Sequence, residues 1–186
     1  GDFALLQKLG AHHDFAVAQT DIVTLGDSDA PYSSSAIRQA LRDGQPEQAA
    51  AMLGRDWAIE GQVQQGDQRG RTIGFATANM ALDDYVEPHF GVYAVQAEIM
   101  DGALAGNIYQ GVANIGLRPT VGTDKPRLEA HLFAFDADIY DANLRVALTH
   151  FIRPEQKFDG LDALKTQIAK DCQTAREMLG LAARDC

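Results

Sequence analysis

The chain is poor in cysteine, in basic residues and in long apolar runs. Its 186 residues include two cysteines, Cys172 and Cys186, too few and too far apart for a disulfide framework, so we expect a reducing, cytoplasmic setting. No apolar run approaches the roughly 18 residues of a membrane span, and no basic-then-apolar leader is visible, so we expect neither a membrane partner nor a signal peptide. The net charge of −10 argues against a nucleic-acid-binding surface.

The character of the chain changes near residue 55. Residues 1–54 combine short helical patterns with one β-branched stretch at Phe15–Leu25, and they are too few for a complete α/β domain. Asp2, Pro31–Ser35 and Pro46 predict helix starts, and Gly10, Gly44 and Gly54 predict helix ends. We therefore predict two parts, an α/β fragment at residues 1–54 and a second domain at residues 55–186.

The second domain is predicted to be mainly β. Six short strands separated by turn signals favour a closed or nearly closed antiparallel barrel, with a tight turn at Asp101-Gly102. A stripe of apolar residues from Leu161 to Leu179 predicts a C-terminal helix against the barrel, with Asp159 as its N-cap and Gly180 as its stop. The predicted strands are Ala58–Gln65, Thr72–Met80, Gly91–Met100, Gly106–Ala113, Arg127–Phe135 and Leu144–Phe151.

A glycine-spaced run leads to the most informative segment, residues 74–79, with the sequence Gly-Phe-Ala-Thr-Ala-Asn. Glycine lets the backbone approach a bulky anion, because it has no Cβ and tolerates positive φ. Thr77 and Asn79 lie two residues apart, so on a strand their oxygens share a face. Paired neutral oxygens suit Mg²⁺, which completes its shell with water and phosphate. The alternative is a strand end with local side-chain hydrogen bonds.

A second candidate site is the segment Leu128–Leu132. With a period of two, Glu129 and His131 share a face with Phe133 and Phe135. A carboxylate held on this face can act as the general base that phosphoryl transfer to an alcohol requires. Taken alone, Glu129 is better explained as a solvated strand residue. His131 is better explained by packing than by catalysis, and the remaining histidines show no zinc-ligand spacing.

These segments, in this order, resemble the riboflavin kinase domain of bacterial bifunctional riboflavin kinase/FAD synthetases. The resemblance covers about residues 55–180. The matching motifs are Gly61-x-Val63-x-x-Gly66, Gly70-Arg71, residues 74–79, Gly91-Val92-Tyr93, Asn114-Ile115-Gly116-x-Arg118-Pro119-Thr120, Leu128-Glu129-Ala130-His131, Ile152-Arg153-Pro154-Glu155 and Lys157-Phe158. One position departs from the pattern, since Ala76 stands where the family usually has proline.

The resemblance implies a six-stranded Greek-key barrel with a C-terminal helix. It implies transfer of the ATP γ-phosphate to the ribityl 5′-hydroxyl of riboflavin, giving FMN, with Mg²⁺ as cofactor. Carried over by position, Thr77 and Asn79 bind the metal and the phosphates, and Glu129 is the catalytic base. The remaining binding residues fall on the nucleotide side, at Gly61, Gly66, Gly70 and Arg71, or towards the flavin, at Arg118, Arg153 and Phe158.

The N-terminal part has a related interpretation. Residues 32–38 resemble a segment late in the FMN adenylyltransferase domain of the same bifunctional family, although Ser33–Ser35 also suit a helix cap. The nucleotide-binding His-x-Gly-His type of motif is absent, so we expect no FAD synthesis from this chain alone. An adenylyltransferase domain in cis is the expected partner, and the sequence implies no oligomeric state.

Two other functions are compatible with the residues. One is a flavin- or nucleotide-binding barrel without catalysis, which the departure at Ala76 keeps open. The other is a structural barrel whose acidic surface and terminal helix mediate association. Formation of FMN from riboflavin, ATP and Mg²⁺ separates the first alternative from a kinase, and quenching of flavin fluorescence separates the second from both.

Overall fold

The computed structural model describes residues 2–19, 24, 32–66, 74–117 and 125–182. The chain divides into two compact units, residues 1–32 and 33–186. The first unit contains helix α1, Phe3–His13, whose N-cap is Asp2 as predicted. The predicted helix end at Gly10 is wrong. Gly10 instead allows close packing, because a Cβ there would lie 2.6 Å from the carbonyl oxygen of Phe15.

In the described ranges, the second unit contains three further α-helices and six strands. The strand predicted at Phe15–Leu25, in the first unit, lies largely outside the described residues, and residues 15–19 are not in a strand. No helix in the described ranges is long and apolar enough to cross a membrane. The elements are α2 Ser34–Arg42, α3 Pro46–Leu53, β1 Trp57–Gln62, β2 Ala78–Ala81, β3 Gly91–Ile99, β4 Ile108–Leu117, β5 Pro126–Leu132, β6 Asn143–Pro154 and α4 Leu161–Met178.

The six strands form one antiparallel sheet in the order β1-β6-β3-β4-β5-β2. Strand β6 returns to lie beside β3, which is the strand order of a Greek key. The sheet nearly closes, since the amide of Gln64 donates to the carbonyl of Asn79 at 2.8 Å just beyond β1. The predicted six-stranded barrel is therefore confirmed.

Alternating side chains fill the inside of the barrel. On β5, Leu128, Ala130 and Leu132 are buried in this core, while the residues between them are only partly buried. This alternation is the one that the sequence predicts for residues 128–132. On β3 nearly every residue is buried, because its outer face is also covered.

Helix α4 covers that outer face, as predicted. Ile168, Cys172 and Ala175 pack with Val92 and Val112 of the sheet. The prediction that Leu161 begins the packed stripe is wrong, since this residue is 63% exposed. The predicted N-cap is also wrong, because Gly160 occupies that position without a side-chain hydrogen bond.

Helices α2 and α3 belong to the same compact unit as the barrel. The side chain of Ser33 caps α2 by accepting from the amide of Ala36 at 3.1 Å, so the helix-cap interpretation of Ser33 is confirmed. Helix α3 is tied to β6 by a 2.7 Å hydrogen bond between His150 and Glu47. The predicted boundary between residues 54 and 55 separates a fragment of one domain from a second domain, and it stays a prediction.

Two predicted local features differ from the structure. Residues 102–104 form a 3₁₀ turn, so β3 and β4 are joined by a longer loop than the predicted tight turn at Asp101-Gly102. Of the strand predicted at Thr72–Met80, the first two residues lie outside the described ranges, residues 75–77 are not in a strand, and β2 begins at Ala78. The backbone at residues 75–77 is irregular, and this irregular segment contains one of the predicted metal ligands.

Gly91 is expected to be sensitive to substitution. A Cβ at this position would lie 2.8 Å from Cε2 of Phe151 and 3.0 Å from Cα of Pro154, which are parts of the paired strand β6. We expect Gly91→Ala to lower the free energy of unfolding by roughly 2–4 kcal/mol, through overpacking. Urea unfolding tests this, with Gly61→Ala as the control, since its Cβ would lie 3.5 Å from Met80. Equal stability of the two variants would contradict the packing argument.

Candidate active site

The segment before β2 and the first residues of β2 form one wall of the candidate site. Asn79 is buried, with 5% of its surface exposed, and its side-chain amide donates to the carbonyl of Thr77 at 3.2 Å. Thr77 precedes the strand, so the prediction that both side chains project from one strand is wrong. The local hydrogen bond that the alternative interpretation expects is present, and with the amide nitrogen on the Thr77 backbone carbonyl the Asn79 carbonyl oxygen is left as the acceptor for another partner.

Thr77 and Asn79 both line a cavity of about 390 Å³. Its walls are mainly apolar and aromatic, while the two candidate ligands and two aspartates provide polar groups. Such a combination of an apolar wall with a few polar groups is typical of small-molecule sites. The lining residues are Val63, Gly66, Ala76, Thr77, Ala78, Asn79, Ala130, Leu132, Phe135, Asp136, Ala137, Asp138, Ile139 and Tyr140.

The glycines of the predicted nucleotide loop have different environments. Gly66 lies against the side chain of Asn79, and a Cβ there would approach Cγ of Asn79 to 2.7 Å. A Cβ on Gly61 would make an ordinary contact, so no close approach explains that glycine. Gly70 and Arg71 lie outside the described residues. Of the two described glycines, Gly61 and Gly66, it is Gly66 whose missing side chain leaves room for the side chain of Asn79.

Glu129 lies beside Asn79 in the sheet. The two residues are directly paired between β5 and β2, and Glu129 is paired on its other side with Asn114 of β4. Directly opposite side chains point to the same face of a sheet, with Cβ atoms about 5 Å apart. Asn79 thus both lines the cavity and neighbours the predicted base, which brings the two candidate sites of the sequence together.

Of the two phenylalanines expected on the face of Glu129, Phe133 lies on the outer side of the sheet and Phe135 does not. Phe133 packs under α4, with the guanidinium of Arg176 4.0 Å from its ring centre. Phe135 instead packs towards the barrel core, against Tyr109 at 4.7 Å. The placement of Phe135 on the face of Glu129 is wrong, because β5 ends at Leu132 and the following turn breaks the alternation.

His131 connects β5 to the segment that carries Thr77. Its Nδ1 lies 2.9 Å from the carbonyl oxygen of Ala76, and its ring makes edge contacts with Phe75 and Phe133. This geometry agrees with the packing role that the sequence favours for His131. Burial lowers the pKa of His131 below its ordinary value of 6.5, and nearby Arg176 also lowers it, while the hydrogen bond to Ala76 opposes the shift.

The lowered pKa of His131 predicts a pH dependence of stability. As the pH falls below about 6.5, the unfolded chain binds the proton first, so the free energy of unfolding should fall by at most about 1.4 kcal/mol per pH unit. Above that pH the group is neutral in both states and contributes no slope. We expect His131→Leu to remove this component from urea unfolding measured between pH 7.5 and 5.5.

His131→Asn serves as the matched variant for that experiment. Its amide also lacks the titration but retains a donor for the Ala76 carbonyl, so it should share the weaker pH dependence and be more stable than His131→Leu at pH 7.5. A pH dependence equal to that of the wild type in both variants would remove His131 as its source.

Arg153, predicted to face the flavin, is held by α4. Its guanidinium donates to both carboxylate oxygens of Asp171, at 2.9 and 2.7 Å, and its carbon lies 5.7 Å from the ring centre of Phe158. Gln167 donates to the same carboxylate at 2.9 Å. Arg153 and Phe158 are thus brought together, away from the cavity wall. Arg118 lies outside the described residues.

Three further residues near Glu129 received no role from the sequence. The side-chain amide of Asn114 donates to Glu155 at 3.2 Å, and the carboxylate of Glu155 lies over Gly116. Asn114 and Glu155 are 41 residues apart in sequence, so only their presence in two of the matching motifs hinted at a site. Across the described ranges, no cluster of three or more His, Cys, Asp or Glu side chains could hold a metal.

Comparisons with known proteins identify the family of the chain. The family described as "Flavokinase: Riboflavin kinase" matches residues 53–179. Bifunctional riboflavin kinase/FMN adenylyltransferases are similar, with 46% identity in the Escherichia coli K12 protein (97% of this chain, 56% of that protein) and 43% in the Bacillus subtilis protein (84% and 49%). A crystal structure titled a macrolide-efflux protein from Streptococcus pneumoniae superimposes with a TM-score of 0.75 and 35% identity, covering 89% of this chain and 52% of that one.

The barrel and these matches define a class of proteins, the small-molecule kinases that are built on an antiparallel barrel. Within that class, the chain belongs to the riboflavin kinase family and carries the riboflavin kinase domain. It spans about half the length of the curated relatives it matches.

Proposed function

We propose that this chain transfers the γ-phosphate of ATP to the 5′-hydroxyl of the ribityl chain of riboflavin, giving FMN and ADP. The observation that carries the proposal is the position of Asn79, which lines the cavity and is the direct neighbour of Glu129. A residue between a ligand cavity and a carboxylate is well placed to hold phosphates between a nucleotide and an acceptor hydroxyl.

The cavity suits the nucleotide. Phe135, Ile139 and Tyr140 offer apolar and aromatic surface to a base, and Thr77 with Asn79 gives the polar wall where phosphates would lie. Gly66 keeps that wall open. The proposal also includes predicted binding roles that the family membership alone supports. These are the roles of Gly61, Gly70 and Arg71 on the nucleotide side and of Arg118 on the flavin side.

The donor set of Thr77 and Asn79 fits Mg²⁺. A hydroxyl and an amide oxygen are hard neutral ligands, and a site with only two protein ligands leaves positions for water and phosphate, as Mg²⁺ prefers. The bond from the Asn79 amide to the Thr77 carbonyl orients the amide oxygen before any ion binds. When bound, the metal would neutralise charge on the transferring phosphate.

Glu129 would act on the acceptor. Its carboxylate takes the proton from the 5′-hydroxyl as the oxygen forms its bond to the γ-phosphorus and the bond from that phosphorus to the ADP oxygen breaks. Asn79 holds the phosphate chain at the next strand, so both reactants are aligned by side chains of paired strands. Arg153, fixed by Asp171, would position the segment that leads to Phe158 on the flavin side.

The parent protein would be bifunctional. The relatives named above combine riboflavin kinase with FMN adenylyltransferase, and residues 1–54 would be the end of an adenylyltransferase domain that precedes the kinase in cis. The chain alone is expected to make no FAD. The protein would work in the cytoplasm, where ATP and riboflavin are both available.

Incubation of the chain with riboflavin, ATP and Mg²⁺ tests the proposal. Chromatography should show FMN, in amounts that require both ATP and the metal. Quenching of riboflavin fluorescence without FMN would indicate a binding barrel without catalysis, and the absence of both would leave the structural barrel as the function.

A further inference from the structure

A continuous row of side chains crosses the outer face of the sheet at the level of Glu129. Asn79 pairs with Glu129, Glu129 with Asn114, Asn114 with Val92, and Val92 with Arg153. The row therefore takes one residue from each of five adjacent strands. Neighbouring strands lie about 4.8 Å apart, so Asn114 is one strand spacing from Glu129 on the side opposite to Asn79.

The side chain of Glu155 lies against this row at Asn114. Its carboxylate accepts from the Asn114 amide at 3.2 Å and occupies the space over Gly116, where a Cβ would lie 2.6 Å from Oε2. Any side chain at position 116 would displace the carboxylate. Glu155 is exposed and Asn114 half-buried, so a bound molecule can reach both polar groups.

The backbone that leads into Glu155 is fixed on its N-terminal side. Arg153 makes two hydrogen bonds to the buried Asp171 and a third, at 2.9 Å, to the carbonyl of Pro154. Pro154 has a restricted φ and ends β6. Glu155 therefore requires little additional ordering to meet a ligand, which favours a role in recognition over an incidental surface contact.

We propose that Asn114 and Glu155 recognise the inner hydroxyls of the acceptor's polyol chain, the hydroxyls that are not phosphorylated. The inference rests on the proposed function. With the terminal hydroxyl at Glu129, a polyol chain that continues along the row reaches Asn114 within one strand spacing. An amide and a carboxylate supply both the donor and the acceptors that hydroxyl groups need.

This arrangement makes Asn114 and Glu155 specificity-determining residues. An acceptor with a plain alkyl chain would leave the amide and the carboxylate without partners in the complex, and sites built to bind a hydroxyl discriminate strongly against analogues that lack it. The competing explanation is that the Asn114–Glu155 bond only joins β6 to β4. A purely structural bond would not distinguish one acceptor from another.

Two acceptors test the inference, riboflavin and a flavin that carries a 5-hydroxypentyl chain in place of the ribityl chain. For the wild type we expect kcat/KM to be at least about tenfold higher for riboflavin. Asn114→Ala and Glu155→Ala should each reduce that ratio several-fold by lowering the rate with riboflavin only, with the KM for ATP unchanged. Asn107→Ala, an exposed amide before β4, is the control and should keep the wild-type ratio.

Glu155→Gln provides a variant that preserves the shape of the side chain. It should discriminate better than Glu155→Ala, because its amide still bonds with hydroxyls. A wild-type ratio near one, or an unchanged ratio in Asn114→Ala and Glu155→Ala, would overturn the inference even if their total activity fell.

Direct binding separates this inference from the proposed function. If no FMN forms with any variant, the kinase proposal fails, and the dissociation constants of the two flavins from fluorescence quenching then test Asn114 and Glu155. Tighter binding of riboflavin that both alanine variants abolish would support the inference. Equal binding of the two flavins, or binding of neither, would overturn it.

Discussion

Replacement of Glu129 by glutamine is expected to lower kcat for FMN formation by about 10²- to 10⁴-fold, the usual range for loss of a general acid–base group. Glutamine keeps the size of the side chain and its hydrogen-bonding capacity but cannot take the proton of the acceptor hydroxyl. Because the substrate contacts persist, the dissociation constant for riboflavin should change far less than kcat. Steady-state kinetics combined with fluorescence titration measures both quantities.

Glu98→Gln is the matched control for this variant. Glu98 is also a half-buried carboxylate on a strand of the barrel. It lies near the end of β3, whereas Val92, near the start of β3, is in the row of Glu129. Glu98 has no place in the proposed mechanism. Its substitution should leave kcat within a few-fold of the wild type. A near-native rate in Glu129→Gln would remove Glu129 from the mechanism, and equal losses in the two variants would point to a general effect on folding.

Replacement of Asn79 by alanine is expected to raise the Mg²⁺ concentration for half-maximal activity by about 10- to 100-fold, the range seen when groups that support a metal site are lost. The change removes one of the two proposed ligands and the bond that holds the amide against Thr77. A metal titration at saturating riboflavin measures the effect. The activity at very high Mg²⁺ should recover in part, because water can replace the lost oxygen.

The same titration with Asn107→Ala controls for the loss of an amide. Asn107 is exposed and does not line the cavity, so the Mg²⁺ requirement of Asn107→Ala should equal that of the wild type. An unchanged metal titration in Asn79→Ala would contradict the ligand role. A drop in activity that no metal concentration relieves would assign Asn79 to structure instead.

The barrel could be predicted because its signals are local. Alternation separates Leu128, Ala130 and Leu132 from Glu129, and the structure buries the three apolar residues. The same rule failed at Phe135 and Thr77. Strand β5 ends before Phe135 and β2 begins only after Thr77, and a period of two has no meaning outside the strand.

The contacts around Glu129 could not be predicted because they join residues that are far apart in the chain. Arg153 was expected near the flavin, yet its strongest contacts are to Asp171 of the terminal helix. Asn114 and Glu155 meet only because β6 lies beside β3 and the chain then returns over β4. Strand order decides such contacts, and a single sequence shows the strands without their order.

The ordered motifs of the sequence predicted the family and its reaction. They did not predict the geometry of the site. Asn79 shows the difference well. The sequence identified its chemistry as a candidate ligand, and the structure adds that it links the cavity to Glu129. The position of Gly66 against the Asn79 side chain explains that glycine by packing, where the sequence offered only the general permissiveness of glycine.

Following the phosphate itself is the most direct test of phosphoryl transfer to riboflavin. The chain would be incubated with riboflavin, Mg²⁺ and ATP labelled at either the γ- or the α-phosphate, and the flavin products would be separated. We predict that the γ label appears in FMN in step with ADP formation, and that the α label stays with the nucleotide. Absence of label from FMN, or transfer of the α label into a flavin, would contradict the assignment.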